Sequence, residues 1–186
     1  MDGSTVTAPL MRRAGEYSYY ESEDLQAVSL PYGEGRMSMY VVLPSEGGDY
    51  GEFLSTLNEA DWDQWMGIFE DREGELILPR FKVEYEKELS DALEAMGMEP
   101  AFKGGLDDIF TDNAAGPTFI SKVLQKTYID VNEEGTEAAA VTSVEVEMAS
   151  APDTEPFAMT VDRPFFFTIR DNQTGALLFM GSITNP

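Results

Sequence analysis

Residues 133–150 read EEGTEAAAVTSVEVEMAS, and this stretch decides how the rest of the chain is read. Its Ala run, residues 138–140, begins like a helix, but the VEVE that follows alternates with period two. The even positions Thr136, Ala138, Ala140, Thr142, Val144, Val146 and Met148 carry no charge, and the first four are small. Every charge beyond Thr136 falls on the odd positions, at Glu137, Glu145 and Glu147. Such a strand can bury one face under something close-packed while the other stays wet. Yet Gly and Ala are weak strand formers, and the stretch runs on into Ala151, Pro152, Asp153, Thr154, Glu155 and Pro156, a loop by composition. A segment that is a loop in one state and a central strand in another satisfies both facts. An ordinary exposed edge strand is the plainer alternative.

Around this stretch, strand patterns dominate. MSMYVVL (37–43) is a short apolar run closed by Pro44, and ELILPRFKVEY (75–85) is extended, with Pro79 bending it or marking an edge. ISKVLQKTYIDV (120–131) alternates loosely. Two further runs, 165–169 and 176–183, are joined by the hairpin turn DNQTG (171–175) and are apolar on both faces, so burial between layers is expected. Helical spacing links Trp62, Trp65, Met66 and Phe69, then Leu89, Ala92, Leu93 and Met96 with Gly97 as the stop. Phe53, Leu54 and Leu57 give a shorter stripe. With no repeat and no linker, the chain is expected to form one α+β domain dominated by strands.

Composition removes several classes of function. At 186 residues with 42% apolar side chains, the chain can bury a core, which excludes wholly disordered and low-complexity readings. Twelve Lys and Arg against 35 Asp and Glu leave a net charge of -23, which repels phosphate backbones and anionic lipid. Neither nucleic acid nor membrane is therefore an expected partner. The absence of Cys removes disulfides and thiolate nucleophiles, and the absence of His removes Ser-His-Asp triads and most transition-metal sites. No apolar stretch approaches the roughly 20 residues of a membrane span. The opening MDGS has neither the basic nor the apolar region of a secretory signal, so none is expected in this chain.

Candidate sites of other kinds are weak. Asp107, Asp108, Asp112 and Asn113 lack the spacing of a calcium loop and read best as a solvated acidic loop, so no metal or cofactor is expected. Paired carboxylates of glycosidase type carry no signal where Asp and Glu are everywhere. The Trp62 and Trp65 stripe reads as core rather than as a ligand platform.

Longer motifs carry a resemblance. ISKVLQKTYIDVNEEGTEAAAVT (120–142) resembles the fifth strand of the central sheet and the proximal hinge of the serpins, the serine protease inhibitor superfamily. VDRPFFFTIRDNQTGALLFMGSITNP (161–186) is similar to that family's C-terminal signature. DGSTVTAPLM, LPYGEGRMSMYVVLP and LPRFKVEYEKELSDALEAMGM match earlier landmarks in order. The resemblance implies the serpin fold over 1–186, C-terminal half only: strands of the central sheet and of two smaller sheets, with a few short helices. A comparable N-terminal half, on another chain or in a missing segment, is then an expected partner. Gln125 departs from the pattern, since many members carry a His there.

The resemblance further implies inhibition by suicide. A target serine protease cleaves an exposed loop within 133–157, forms an acyl-enzyme, and is dragged along as the hinge inserts into the central sheet. The implied hinge comprises Glu133, Glu134, Gly135, Thr136, Glu137, Ala138, Ala139, Ala140, Val141 and Thr142. Its small residues would enter without clashes, and Gly135 would supply a pivot. Counting along the hinge places the reactive bond at Ala149–Ser150. Counting back from the C-terminal signature disagrees slightly, so Met148, Ala149, Ser150 and Ala151 are all candidates for the residue before the cut. None is basic, which favours elastase- or subtilisin-like targets over trypsin-like ones. No residue is expected to be catalytic, and the full-length protein is expected to be extracellular. A non-inhibitory member would carry bulky or charged residues on the inserting face, and an unrelated carboxylate enzyme would need a site that stands out.

Overall fold

A computed structural model describes residues 9–106, 118–133 and 155–186. The chain divides into two compact units, the described residues of Met1–Phe81 with Val131–Pro186 and those of Lys82–Asp130. In the first unit, a seven-stranded sheet has the order β7-β4-β1-β2-β3-β8-β9. Its strands are β1 (Leu10–Glu21), β2 (Leu25–Tyr32), β3 (Met37–Pro44), β4 (Glu70–Pro79), β7 (Phe157–Thr160), β8 (Phe165–Asp171) and β9 (Leu177–Ile183). Neighbours are antiparallel except β4 and β7, which run parallel.

The apolar run closed by Pro44 becomes the middle of this sheet. β3 pairs with β2 on one side and β8 on the other, and everything from Ser38 to Pro44 is buried. A strand with both edges paired and both faces covered needs a continuous apolar run, which VVL at 41–43 supplies. Against this sheet lie α1 (Tyr50–Thr56) and α2 (Glu59–Met66). Asp49 caps α1 by accepting the Glu52 N–H at 3.0 Å, which satisfies one orphan donor of the first turn. Trp62 is buried edge-on against Tyr40, with ring centroids 5.5 Å apart, while Trp65 stays half-buried. Phe69 lies past the end of α2 and packs against Tyr40 from the connection.

The segment 75–85 is extended, but Pro79 does more than bend it. β4 ends there, Arg80 intervenes, and β5 (Phe81–Glu88) starts a separate two-stranded sheet with β6 (Leu124–Val131). Proline withholds a ladder donor, so the chain leaves the first sheet at that point. In the second unit β6 begins later than the sequence pattern, because residues 120–123 are bonded to helical turns instead. Ile120 N–H donates to the Ala101 carbonyl at 2.9 Å, and Val123 N–H donates to Ser90 Oγ at 3.0 Å. Those turns are α3 (Ser90–Leu93), a wider π-helical turn over Glu94–Met98, and α4 (Glu99–Phe102). Regular α-helix therefore stops at Leu93, earlier than expected. Gly97, at φ 100°, sits inside the widened turn in a conformation other residues rarely adopt.

The hairpin of β8 and β9 forms as the sequence reads. Asp171 Oδ1 accepts from the N–H of Gln173 at 2.9 Å and of Thr174 at 3.3 Å, and Gly175 takes φ 78°. Burial of both strands needs correction. β8 buries Phe165, Phe167 and Thr168, whereas β9 exposes Leu177, Leu178, Phe179 and Met180, the last to 61%. β9 ends the sheet, with β8 on one side alone, so its apolar side chains project past the cover that the described residues provide. Such a patch favours association. The 186-residue chain should self-associate at tens of micromolar, and Leu178→Lys with Met180→Lys should raise its monomer fraction. Size-exclusion chromatography with light scattering checks this; monomeric elution of the unchanged chain would show that the patch does not drive contact.

Candidate functional site

Of the implied hinge, the structure describes Glu133. Glu134 to Thr142, the bond Ala149–Ser150, and the alternatives Met148 and Ala151 lie outside the described residues, as do Asp107, Asp108, Asp112 and Asn113. Among the described residues, no group of three or more carboxylates stands close enough to hold a metal. The geometry on view is that of the residues flanking 134–154.

The first end leaves from β6. Thr127, Ile129 and Val131 form its half-buried face, while Lys126, Tyr128 and Asp130 point to water, and Gln125 is exposed. β6 pairs with β5 and with no other strand among the described residues, so its second edge has no ladder partner there. After Asn132, the Glu133 carboxylate accepts from Arg80 Nε at 2.9 Å and also from Nη2. Held mainly by that hydrogen bond, Glu133 stays ionised below the usual glutamate value of 4.5. Both side chains are about half exposed, so the pair positions the chain more than it stabilises it.

The second end is gripped more firmly. Arg72 Nε donates to the Glu155 carbonyl at 2.8 Å, and the same guanidinium lies 5.6 Å from the Tyr19 ring centroid. Two residues on, Phe157 begins β7, which lies parallel to β4 with Gly74 opposite Phe157. The Phe157 ring stacks on Tyr19 at 3.9 Å and meets Tyr17 edge-on at 5.8 Å. A Cβ on Gly74 would come within 2.2 Å of that ring, so residue 74 has to be glycine for Phe157 to lie there. Gln26 Nε2 donates to Tyr19 Oη at 2.8 Å and to the Ala158 carbonyl at 3.1 Å, tying β2 to β7. Burial pushes the Tyr19 hydroxyl up to about 12, which keeps it neutral across the physiological range.

The two anchors therefore lie toward opposite ends of β4. Arg72 lies near the start of β4 and Arg80 just past its end, roughly 26 Å apart at the rise of a strand. The residues 134–154 between the anchored ends have a contour of about 70 Å.

Sequence reasoning singled out Glu133 but missed Arg72, Gly74, Arg80 and Phe157. No local pattern links Arg80 to Glu133, since the pair is brought together only by the path of β4 and β6. For Phe157 a signal existed. FAMT alternates buried and exposed, but the turn residues just before it read as a loop.

Comparison with known proteins places this arrangement. The family model described as Serpin (serine protease inhibitor) matches residues 1–186. An uncharacterized serpin-like protein of Thermococcus kodakarensis is 38% identical over 184 residues, covering 98% of this chain and 42% of that protein. Plasminogen activator inhibitor 1 of Neovison vison is 34% identical over 191 residues, covering all of this chain and 47% of that protein. Among solved structures, the thermophilic serpin tengpin in its native state matches at TM-score 0.73 and 30% identity, covering 96% of this chain and 46% of that one. Native protease nexin-1 with heparin matches at TM-score 0.77 and 28% identity, covering all of this chain and 49% of that one. The chain spans a little under half the length of each.

Two measurements test the anchors. The Glu133 carboxyl should titrate below 4.5 by NMR and rise in Arg80→Ala, which removes the largest lowering contact. A lowered folded value means that the attachment contributes above the unfolded pKa and is lost as pH falls through the folded one. An unmoved midpoint in the variant would show that the ion pair does not form in solution. Gly74→Ala should expel the Phe157 ring and raise amide exchange over residues 157–160 at least tenfold, about 1.4 kcal/mol of local opening. Unchanged protection there would show that β7 is held by its backbone ladder alone.

Proposed function

The chain belongs to the serpin family, and from that premise we propose that it is the loop-bearing half of a serine protease inhibitor that works as a suicide substrate. The observation that carries this reading is the junction at Glu133. A segment whose even positions are uncharged and small emerges directly from β6, a strand whose second edge has no partner among the described residues. Adding a strand there gains a backbone ladder and buries one face, as in strand augmentation of an open sheet edge.

On this reading a protease attacks at Ala149–Ser150, or with Met148, Ser150 or Ala151 as the residue before the cut, and becomes esterified to that residue. Residues from Gly135 onward then enter beside β6, with Thr136, Ala138, Ala140 and Thr142 on the inward face. The cut frees the loop from its second anchor, because Glu155 and β7 stay on β4 with the other product end. Insertion releases the strain of the uncut state and moves the bound protease away. The other flanking strand would come from an N-terminal half, so the 186-residue chain alone is not expected to inhibit. Small, uncharged residues at the cut suit a shallow specificity pocket, hence a protease of elastase or subtilisin type. No residue of this chain performs catalysis in the scheme, and no cofactor enters it. The complete protein would act extracellularly.

The test uses the 186-residue chain completed by the N-terminal half. Incubation with elastase or subtilisin should leave a complex that survives SDS. Thr136→Arg should be cut to completion with little complex, because a charge on the inserting face costs several kcal/mol to desolvate and slows insertion relative to deacylation. Cleavage without complex by the unchanged protein, or equal stoichiometry of inhibition in the variant, would overturn the reading.

A further inference from the structure

Where the β1–β2 turn meets the end of β3 and α1, the seven-stranded unit holds a cleft of about 420 Å³. That volume lies within the range of small-molecule sites. Its wall includes Tyr20, Phe53 and Trp65, all half-buried and packed on the core patch of Leu25, Ala27 and Val42. Each of the three rings has its ring partner elsewhere: Tyr20 against Phe69, Phe53 against Tyr50 and Trp65 against Trp62. Among the described residues the three make no ring contact with one another.

The same cleft is lined by Asp24, Asp49 and Glu52. Asp49 is fixed by capping α1, and Asp24 sits in a turn held by Ser22 Oγ, which accepts its N–H at 3.2 Å. Among the described residues none of these carboxylates is in an ion pair. Carboxylates outside any ion pair present negative potential, as does the face of an aromatic ring, which rejects anions and gives a neutral guest no electrostatic return. A compact ammonium such as that of lysine is strongly hydrated and loses that hydration on entering an apolar wall. A quaternary ammonium has an apolar surface and a diffuse charge, and it satisfies wall and rim together.

We propose that this cleft binds a small organic cation of the quaternary-ammonium class. The site uses none of residues 133–157 and stands whether or not the loop inhibits proteases. Trp65, part of an apolar stripe by sequence, is then the residue that reports the ligand, while Trp62 serves the core.

The probe is choline, titrated into the full chain at constant ionic strength and followed by tryptophan fluorescence and saturation-transfer NMR. Saturable binding in the millimolar range is expected, with the neutral isostere 3,3-dimethylbutan-1-ol about tenfold weaker or more. Trp65→Leu should abolish binding. Asp24→Asn with Glu52→Gln, at exposed rim positions that leave the core untouched, should weaken choline about tenfold without changing near-UV circular dichroism. Equal binding of the neutral isostere, unchanged choline binding in the rim variant, or no saturation by about 50 mM would each overturn the proposal.

Discussion

The ring of Phe157 occupies the space that any side chain at residue 74 would need, since a Cβ there would lie 2.2 Å away. That close approach sets the position of β7 on β4, and much else follows from it. Stacked on Tyr19 and edge-on to Tyr17, the ring joins β7 to β1 across β4. Because Arg72 of β4 holds Glu155, and Arg80 just beyond β4 holds Glu133, the residues on either side of 134–154 are fixed near the two ends of that strand.

Charge is used sparingly against a large background. Twelve cationic side chains serve a chain of net charge -23, and several arginines stand at connections. Arg36 pairs with Asp171, linking the β2–β3 turn to the β8–β9 turn, and Arg163 Nε donates to the Pro44 carbonyl at 2.8 Å. These contacts join an arginine to a partly buried acceptor and place the turns, with cohesion left to the apolar sheet. The acidic surface favours solubility and works against compactness through self-repulsion. It also leaves carboxylates without cationic partners, as around the cleft of Tyr20, Phe53 and Trp65.

Each unit has a strand at the end of its sheet. Among the described residues β6 is half-buried on one face yet pairs on one side, and β9 exposes apolar side chains on both faces. Such edges are templates for further strands.

The elements legible in the sequence were those whose signal is local. The buried run of β3, the DNQTG turn and the parity of residues 133–150 were read from a few neighbouring side chains. β1 was missed because Arg12, Arg13, Gly15 and Glu16 break any alternation; it exists through its ladder to β4, where Arg12 meets Glu75. The split at Pro79, the exposure of β9 and the anchoring arginines were equally out of reach, since each depends on residues distant along the chain. The sequence by itself determined the family, through long motifs such as residues 161–186, and the strand-dominated class, because period-two patterning and turn residues act over a few positions. Tertiary structure alone decided that Arg80 faces Glu133, that Gly74 makes room for Phe157 and that three aromatic rings surround a cleft rimmed with carboxylates. Those contacts are set by how strands pair, and pairing is a property of the whole sheet.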